Sequence, residues 1–511
     1  MRRPHRTVGG CLAVAALALA SACGSTVPGA ADGLASGSEL AGTADGTSTG
    51  GTGSGEGAGG TGATSSLGNG GSSGGAGTGS TGTGSTGAAG TPVSTTSGGG
   101  TVTPGGPATG PVKIGILLTK VGQADALGVS LGNTYSERQF DDAVINGLNK
   151  QGGLHGRRIT PVYAGTDTAS SNWEADYQAA CATFTQDNHV DAVLGSSFAY
   201  FASFERCLAK AGIPHLTNSS NVADNKELAQ FPLLRALIVP TIDKRSLAKL
   251  QGAINTGFLT PTNKLGVITD SCPGTQRAWN DVIKPFLLQQ HIAVASTADE
   301  GCADGYNGSF SSAGAAVSNA ILTFRSAGVD RVTFITVSES GTMLVMSEGA
   351  SSQQYYPGWI MSSLVGTSIL AGQAPAEQMK NTRVYGWLPS QDVTPAQYAA
   401  PTSAQRRCYG YLKASGITPT SAADFSYSQS ICEALFAYES ALGENGGALG
   451  GPAVIAGLER IGTRFPSVFD LDGAAHFSPA RRNDVPGLYR EAVFGDSCSC
   501  FAYHGRAYPM P

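Results

Sequence analysis

Prominent among the residues of this chain able to do covalent or metal chemistry are ten cysteines and seven histidines. Setting aside Cys11 and Cys23, eight cysteines remain: Cys181, Cys207, Cys272, Cys302, Cys408, Cys432, Cys498 and Cys500. An even number in an exported chain points to disulfides, but eight cysteines allow 105 pairings, and the sequence alone does not choose among them. A zinc site is the rival reading, yet no CxxC pair or adjacent histidine supplies a tetrahedral set. The histidines, His5, His155, His189, His215, His291, His476 and His504, are scattered and form no HExxH. Gly70-x-Ser72-x-Gly74 imitates a nucleophile elbow, and Gly77-x-Gly79-x-x-Gly82 a dinucleotide fingerprint. Neither follows a strand or opens a helix, as the chemistry requires. Oxidative cross-linking and non-covalent recognition are what remain, with no cofactor implied.

Charge narrows the partners. The formal net charge is −5, and Arg2, Arg3 and Arg6 are the only charged residues among the first 22, so a chain cut before Cys23 carries 29 basic against 37 acidic residues. Phosphate contacts need clustered Lys and Arg, so no nucleic-acid partner is expected. No apolar run of 18 or more residues lies beyond the N-terminal segment to span a membrane.

Residues 1–22 read as an export signal: the three arginines form a basic start, Val8 to Leu19 a short apolar run, and Ala20-Ser21-Ala22 the small residues that a signal peptidase accepts. Cys23-Gly24-Ser25 after them resembles the bacterial lipobox, with Ala20 where leucine is usual. The resemblance implies that Cys23 is diacylated and becomes the new N-terminus, on chains numerous enough for stable anchoring. Residues 23–110 are rich in Gly, Ser and Thr, with almost no large apolar side chain to offset ordering entropy, and read as a disordered tether. Gly-rich coil of that length has an r.m.s. reach on the order of 50 Å.

The remaining 401 residues, Pro111 to Pro511, exceed a typical single core and suit two lobes. Val112–Leu118 is an apolar strand. Tyr135–Gln151 is a helix with Phe140, Val144, Ile145 and Leu148 on one face, stopped by Gly152-Gly153. Arg158–Tyr163 is a strand, Trp173–Gln186 a helix, Val190–Gly195 a buried strand, Phe201–Ala211 a helix and Ile213–Leu216 a strand. The pattern restarts at Lys264–Thr269 and continues through His291–Ala295, Arg331–Val337 and Gly358–Met361. Such alternation predicts an α/β fold of two Rossmann-like lobes, each a parallel sheet covered on both faces.

An ordered series of landmarks then resembles the type I periplasmic solute-binding proteins of the branched-chain amino-acid ABC transporter class. It runs from Asn146-Gly147-Leu148-Asn149-Lys150-Gln151-Gly152-Gly153-Leu154-His155-Gly156-Arg157-Arg158-Ile159 and Asp167 through Val193-Leu194-Gly195-Ser196-Ser197, Ala211-Gly212-Ile213-Pro214 and Phe231-Pro232-Leu233-Leu234-Arg235. It ends with Ser426-Tyr427 opening a helix and Phe469-Asp470-x-Asp472-Gly473 before Phe477-Ser478. The resemblance covers nearly all of 111–511. It implies lobe 1 at 111–240 plus 391–472, lobe 2 at 241–390 plus 473–511, and three hinge crossovers, the middle one at Val384–Trp387. It also implies the pairs Cys181–Cys207, Cys272–Cys302, Cys408–Cys432 and, as the remainder, Cys498–Cys500.

Ligands of open α/β sheets bind beyond the carboxyl ends of the strands. In lobe 1 those positions are Gly122, Gln123 and Asp125, then Ser196, Ser197 and Phe198, then Thr217, Asn218 and Ser219; in lobe 2 they are Asp270 and Ser271, Ser338 and Glu339, and Ser362 and Ser363. Hydroxyls, backbone N–H groups and helix N-termini suit a carboxylate, and Glu339 or Asp270 an ammonium group. The bland alternative is that the Ser, Thr and Asp residues only cap helices. Phe198, Ala199 and Tyr200 stand where amino-acid binders usually carry a serine or threonine; the two rings suit a more apolar solute or the packing of the cleft wall. The expected function is an extracytoplasmic receptor of an ABC importer, binding a small polar or amphipathic, amino-acid-like solute. Its partners are a permease, an ATPase and, through the N-terminal lipid, the membrane. The alternatives are a receptor signalling to a membrane partner and an exported hydrolase.

Overall fold

The computed structural model describes residues 110–120, 132–167, 170, 172–195, 200–218, 224–302, 309–473, 475–479 and 486–511. The export signal, Cys23, the tether, and Gly122, Gln123, Asp125, Ser196, Ser197, Phe198 and Ser219 lie outside the described residues.

The first sheet is parallel, with strands β1 Val112–Lys120, β2 Ile159–Asp167, β3 Ala192–Gly195, β4 His215–Thr217 and β5 Leu234–Ala236 in the order β2-β1-β3-β4-β5. Side chains alternate across β1. Ile114 and Ile116 join the core under helix α1 (Glu137–Lys150), while Leu117 joins the opposite core with α2 (Trp173–Ala182) and α3 (Ala202–Lys210). Helix α1 begins at a capping box in which Ser136 and Gln139 satisfy each other's backbone N–H groups. It stops at Gly152-Gly153. Gly153 has φ +74°, and a Cβ there would lie 2.0 Å from the Arg157 carbonyl oxygen, so the turn into β2 requires glycine.

The second sheet has the order β12-β11-β10-β9-β8-β6-β7. Its parallel part comprises β6 Lys264–Thr269, β7 Ala293–Asp299, β8 Arg331–Ile335, β9 Gly358–Ser362 and β10 Thr382–Gly386. An antiparallel hairpin, β11 Leu488–Gly495 and β12 Cys500–Pro509, completes it. Helix α4 (Ile242–Asn255) shares a core with Leu265 and Val267; α5 (Ser309–Ala327) and α6 (Glu339–Ser352) share the other with Ile268, Phe334 and Trp359. The late helices α7 (Ser403–Ala414), α8 (Ala422–Glu444) and α9 (Gly451–Ile461) return to the first sheet, where α7 and α8 pack on α1.

The chain therefore passes between the sheets three times: after β5, after β10 and before β11. Trp387 ties these passages together. Its indole donates to the Ile238 carbonyl at 2.8 Å, and its own carbonyl accepts from Leu471 N–H at 2.9 Å. The stretch expected as the middle crossover is different in detail. Val384–Gly386 belong to β10, paired on both sides, and the passage starts only at Trp387. Helix α8 likewise starts before Ser426, because a capping box of Ser421 and Asp424 opens it at Ala422, four residues upstream.

All four disulfides join the expected partners. Cys181–Cys207 links α2 to α3, Cys272–Cys302 the loops after β6 and β7, Cys408–Cys432 α7 to α8, and Cys498–Cys500 closes the β11–β12 turn.

Candidate functional site

The carboxyl ends of the two sheets are turned toward each other. The β5 and β10 ends both run into the Trp387 junction, and the segments after β4 and β6 meet through an ion pair. Arg277 Nε donates to Asp224 Oδ2 at 2.5 Å and Arg277 Nη2 to Asp224 Oδ1 at 2.9 Å, with Glu227 at 3.5 Å. Asp224 and Glu227 belong to the first lobe and Arg277 to the second.

On the second lobe's edge, the expected residues are committed to internal bonds. Glu339 is 1% exposed; its Oε1 lies 2.8 Å from Lys249 Nζ and 3.8 Å from Arg245 Nε, and its Oε2 accepts from Ser362 Oγ at 2.8 Å. Lys249 also donates to the Phe334 carbonyl and Arg245 Nη2 to that of Thr336. Burial pushes both cations' pKa values down, and Glu339 opposes this. The Glu339 charge is thus already matched and is not available to hold an ammonium group. Asp270 is buried too, accepting from Cys272 N–H at 3.0 Å and Val337 N–H at 2.6 Å; burial raises its carboxyl to about 6. It organises the loops after β6 and β8. Ser363 Oγ donates to Asp392 and accepts from Trp387 N–H, which makes it a brace of the middle passage. Ser338 occupies the N-cap position of α6, and Ser271 is exposed.

On the first lobe's edge, Thr217 ends β4, and Asn218 Nδ2 donates to the Ser430 carbonyl of α8 at 2.6 Å. Tyr200, the described member of the expected aromatic pair, is half-buried. Beside these residues the structure holds a cavity of about 290 Å3, counted to its solvent mouth, at the ends of β1 and β3. Its floor is Leu117 and Gly195, and its wall is Tyr427 and Ser430 of α8. Gly195 has φ +117°, and a Cβ there would sit 3.3 Å from the Leu117 carbonyl oxygen, so glycine keeps the two strand ends close.

Two carboxylates line this cavity, Glu137 and Asp141, one turn apart on α1. Glu137 Oε2 accepts from Thr119 N–H at 2.8 Å, and burial raises its carboxyl to about 7. Asp141 is 5% exposed, and its Oδ2 has no hydrogen-bond partner. Burial and the neighbouring Glu137 push its carboxyl well up. Neither was among the expected site residues, yet Asp141 carried a readable signal: it interrupts the apolar face of Phe140, Val144, Ile145 and Leu148. Among the described residues no three His, Cys, Asp or Glu side chains are grouped to hold a metal ion.

This architecture recurs in solved structures of low sequence identity. An ABC transporter substrate-binding protein from Desulfitobacterium hafniense in complex with Leu is 16% identical, with a TM-score of 0.50 over 77% of this chain and 100% of that one. A solute-binding protein from Rhodopseudomonas palustris in complex with 4-hydroxybenzoate is 12% identical, with a TM-score of 0.54 over 78% and 98%. A fatty acid ABC transporter substrate-binding protein from Thermomonospora curvata is 13% identical, with a TM-score of 0.55 over 80% and 96%. No protein-family model matches the chain, and no curated protein matches it in sequence. The chain has the two-lobe fold of the type I periplasmic binding proteins.

Proposed function

We propose that the chain is the extracytoplasmic solute-binding receptor of an ABC importer. In this reading Cys23 is lipidated, residues 23–110 tether the protein to the membrane, and a permease and an ATPase take the solute onward. Lobe 1 comprises 111–240 plus 391–472 and lobe 2 comprises 241–390 plus 473–511; they close on a small polar or amphipathic, amino-acid-like molecule. Binding is by enclosure, with no covalent step.

The observation that carries this reading is the meeting of two open sheets, one parallel and one with a parallel core, at the carboxyl ends of their parallel strands, around three passages pinned at Trp387. Such ends are where α/β sheets bind ligands, and a hinged pair can enclose one. The solved relatives bind Leu and 4-hydroxybenzoate or belong to fatty acid transport, so one scaffold takes chemically different solutes.

A thermal-shift screen of the secreted chain against amino acids, amides, short-chain acids and aromatic acids tests it. A solute at a hundredfold excess over its Kd stabilises the native state by about 2.7 kcal/mol, and the melting point rises. The absence of any shift, together with turnover of an ester or amide, would replace the receptor by an enzyme.

A further inference from the structure

Resting on the receptor reading, we infer that the first-lobe cavity is the seat of a cationic head group: the solute carries a primary ammonium, held by Asp141 and Glu137 against the ring of Tyr427. The first ground is Asp141 itself. A carboxylate 95% buried, counted from its 5% exposure, with Oδ2 lacking a hydrogen-bond partner, is costly unless something fills the cavity. The residue lines that cavity, so the unmet oxygen and the space coincide.

The second ground is the absence of a counter-ion in the lining. Ile116, Leu117, Ile431 and Tyr427 supply apolar or aromatic wall, and among the described residues no Lys, Arg or His lines the cavity. Arg138, next to Glu137 on α1, favours the ionised Asp141 only through space, its guanidinium lying 3.6 Å from Asp142 and over the Tyr163 ring at 4.4 Å. The contrast with the second lobe is direct, because there Lys249 and Arg245 already neutralise Glu339.

Size and donor chemistry select the head group. The enclosed part of the cavity admits roughly one water-sized group, which an ammonium matches and a carboxylate exceeds. An ammonium offers three N–H donors to acceptor-only carboxylates, and an aromatic face attracts a cation. Calcium and magnesium take six or more oxygen ligands, and zinc a tetrahedral set rich in His or Cys, neither of which two carboxylates among apolar walls provide. The solute is therefore an amine on a short apolar or aromatic frame, its head in the first lobe and its body toward the second.

The test uses the whole secreted chain and named probes: n-butylamine and benzylamine, their neutral counterparts butanol and benzyl alcohol, and leucine and benzoate. Calorimetric titration and thermal shift are read for the native protein, D141N and E137Q. The expected result is saturable amine binding that weakens at least tenfold in D141N and in E137Q, with no response to the alcohols. At a pH high enough to ionise the raised Asp141 carboxyl, D141N should also melt higher than the native protein without ligand, since it then removes a buried unmatched charge; a purely structural aspartate predicts a lower melting point. If amine and alcohol bind alike, or the variants keep the amine response, the cation seat is wrong. The receptor reading then survives only if leucine or benzoate still binds; silence from every probe counts against both.

Discussion

Glu339 shows how little a residue type says about its task. It is an acid at a strand end, where a ligand-holding carboxylate is expected, but its charge is consumed by Lys249 and Arg245. Removing one member of such a buried set leaves uncompensated charge, at a cost of about 3–5 kcal/mol. We expect E339Q to lose that much in urea denaturation, and a second change, K249M, to restore most of it; an E339Q protein of native stability would show that the three charges are not coupled. Asp392 makes the complementary case. It accepts from Leu388 N–H, Ser363 Oγ and Tyr503 Oη, at 3.0, 3.1 and 2.7 Å, and burial raises its carboxyl to about 7. A carboxyl raised in the folded state stabilises fully below its unfolded value, near 4, and that stability is lost as pH rises through 7, at about 1 kcal/mol per pH unit. Glu433, also raised to about 7, acts in the same direction. Unfolding measured from pH 4.5 to 8 should therefore show falling stability, with a flatter profile in D392N; an unchanged slope in that variant would remove Asp392 from the account.

At the scale of elements, cross-links differ by the length of chain they close. Cys408 and Cys432 are 24 residues apart, Cys498 and Cys500 only 2. Loop entropy assigns the first about 3 kcal/mol and the second roughly half of that. Paired Cys-to-Ser replacements compared by chemical denaturation should reproduce that order, and a larger loss from the C-terminal pair would point to a role for its turn that loop length does not supply. The β11–β12 hairpin is also where local pattern was silent. Arg490 and Glu491 interrupt the apolar residues of β11, and its sheet partner β10 lies about a hundred residues earlier. Its place depends on pairing with a strand edge that exists only once the second sheet has formed. Helix α1 was readable instead, because its face, cap and glycine stop are all local.

At the scale of the whole molecule, Arg277 and Asp224 span the two lobes in a charge-assisted pair, with Asp224 2% exposed. A contact that exists only when the lobes are together biases the equilibrium toward closure. R277A should enlarge the radius of gyration of the ligand-free protein in small-angle scattering and weaken solute binding by roughly tenfold, or about 1.4 kcal/mol, while leaving far-UV dichroism unchanged. Equal scattering curves for the two proteins would mean that the pair does not govern closure.

Much of the architecture followed from local sequence. Runs such as Lys264–Thr269 bury as strands, and helices with one apolar face cover them. Those features depend on neighbours a few residues away. Which carboxylates find a counter-charge did not follow, because it depends on what stands across a packed interface: Lys249 reaches Glu339 from a helix ninety residues earlier, while among the described residues no cation is bonded to Asp141 Oδ2. Charge balance in a low-dielectric interior is set by these distant encounters. The fold was therefore legible in the sequence, and the candidate seat for a ligand only in the tertiary structure.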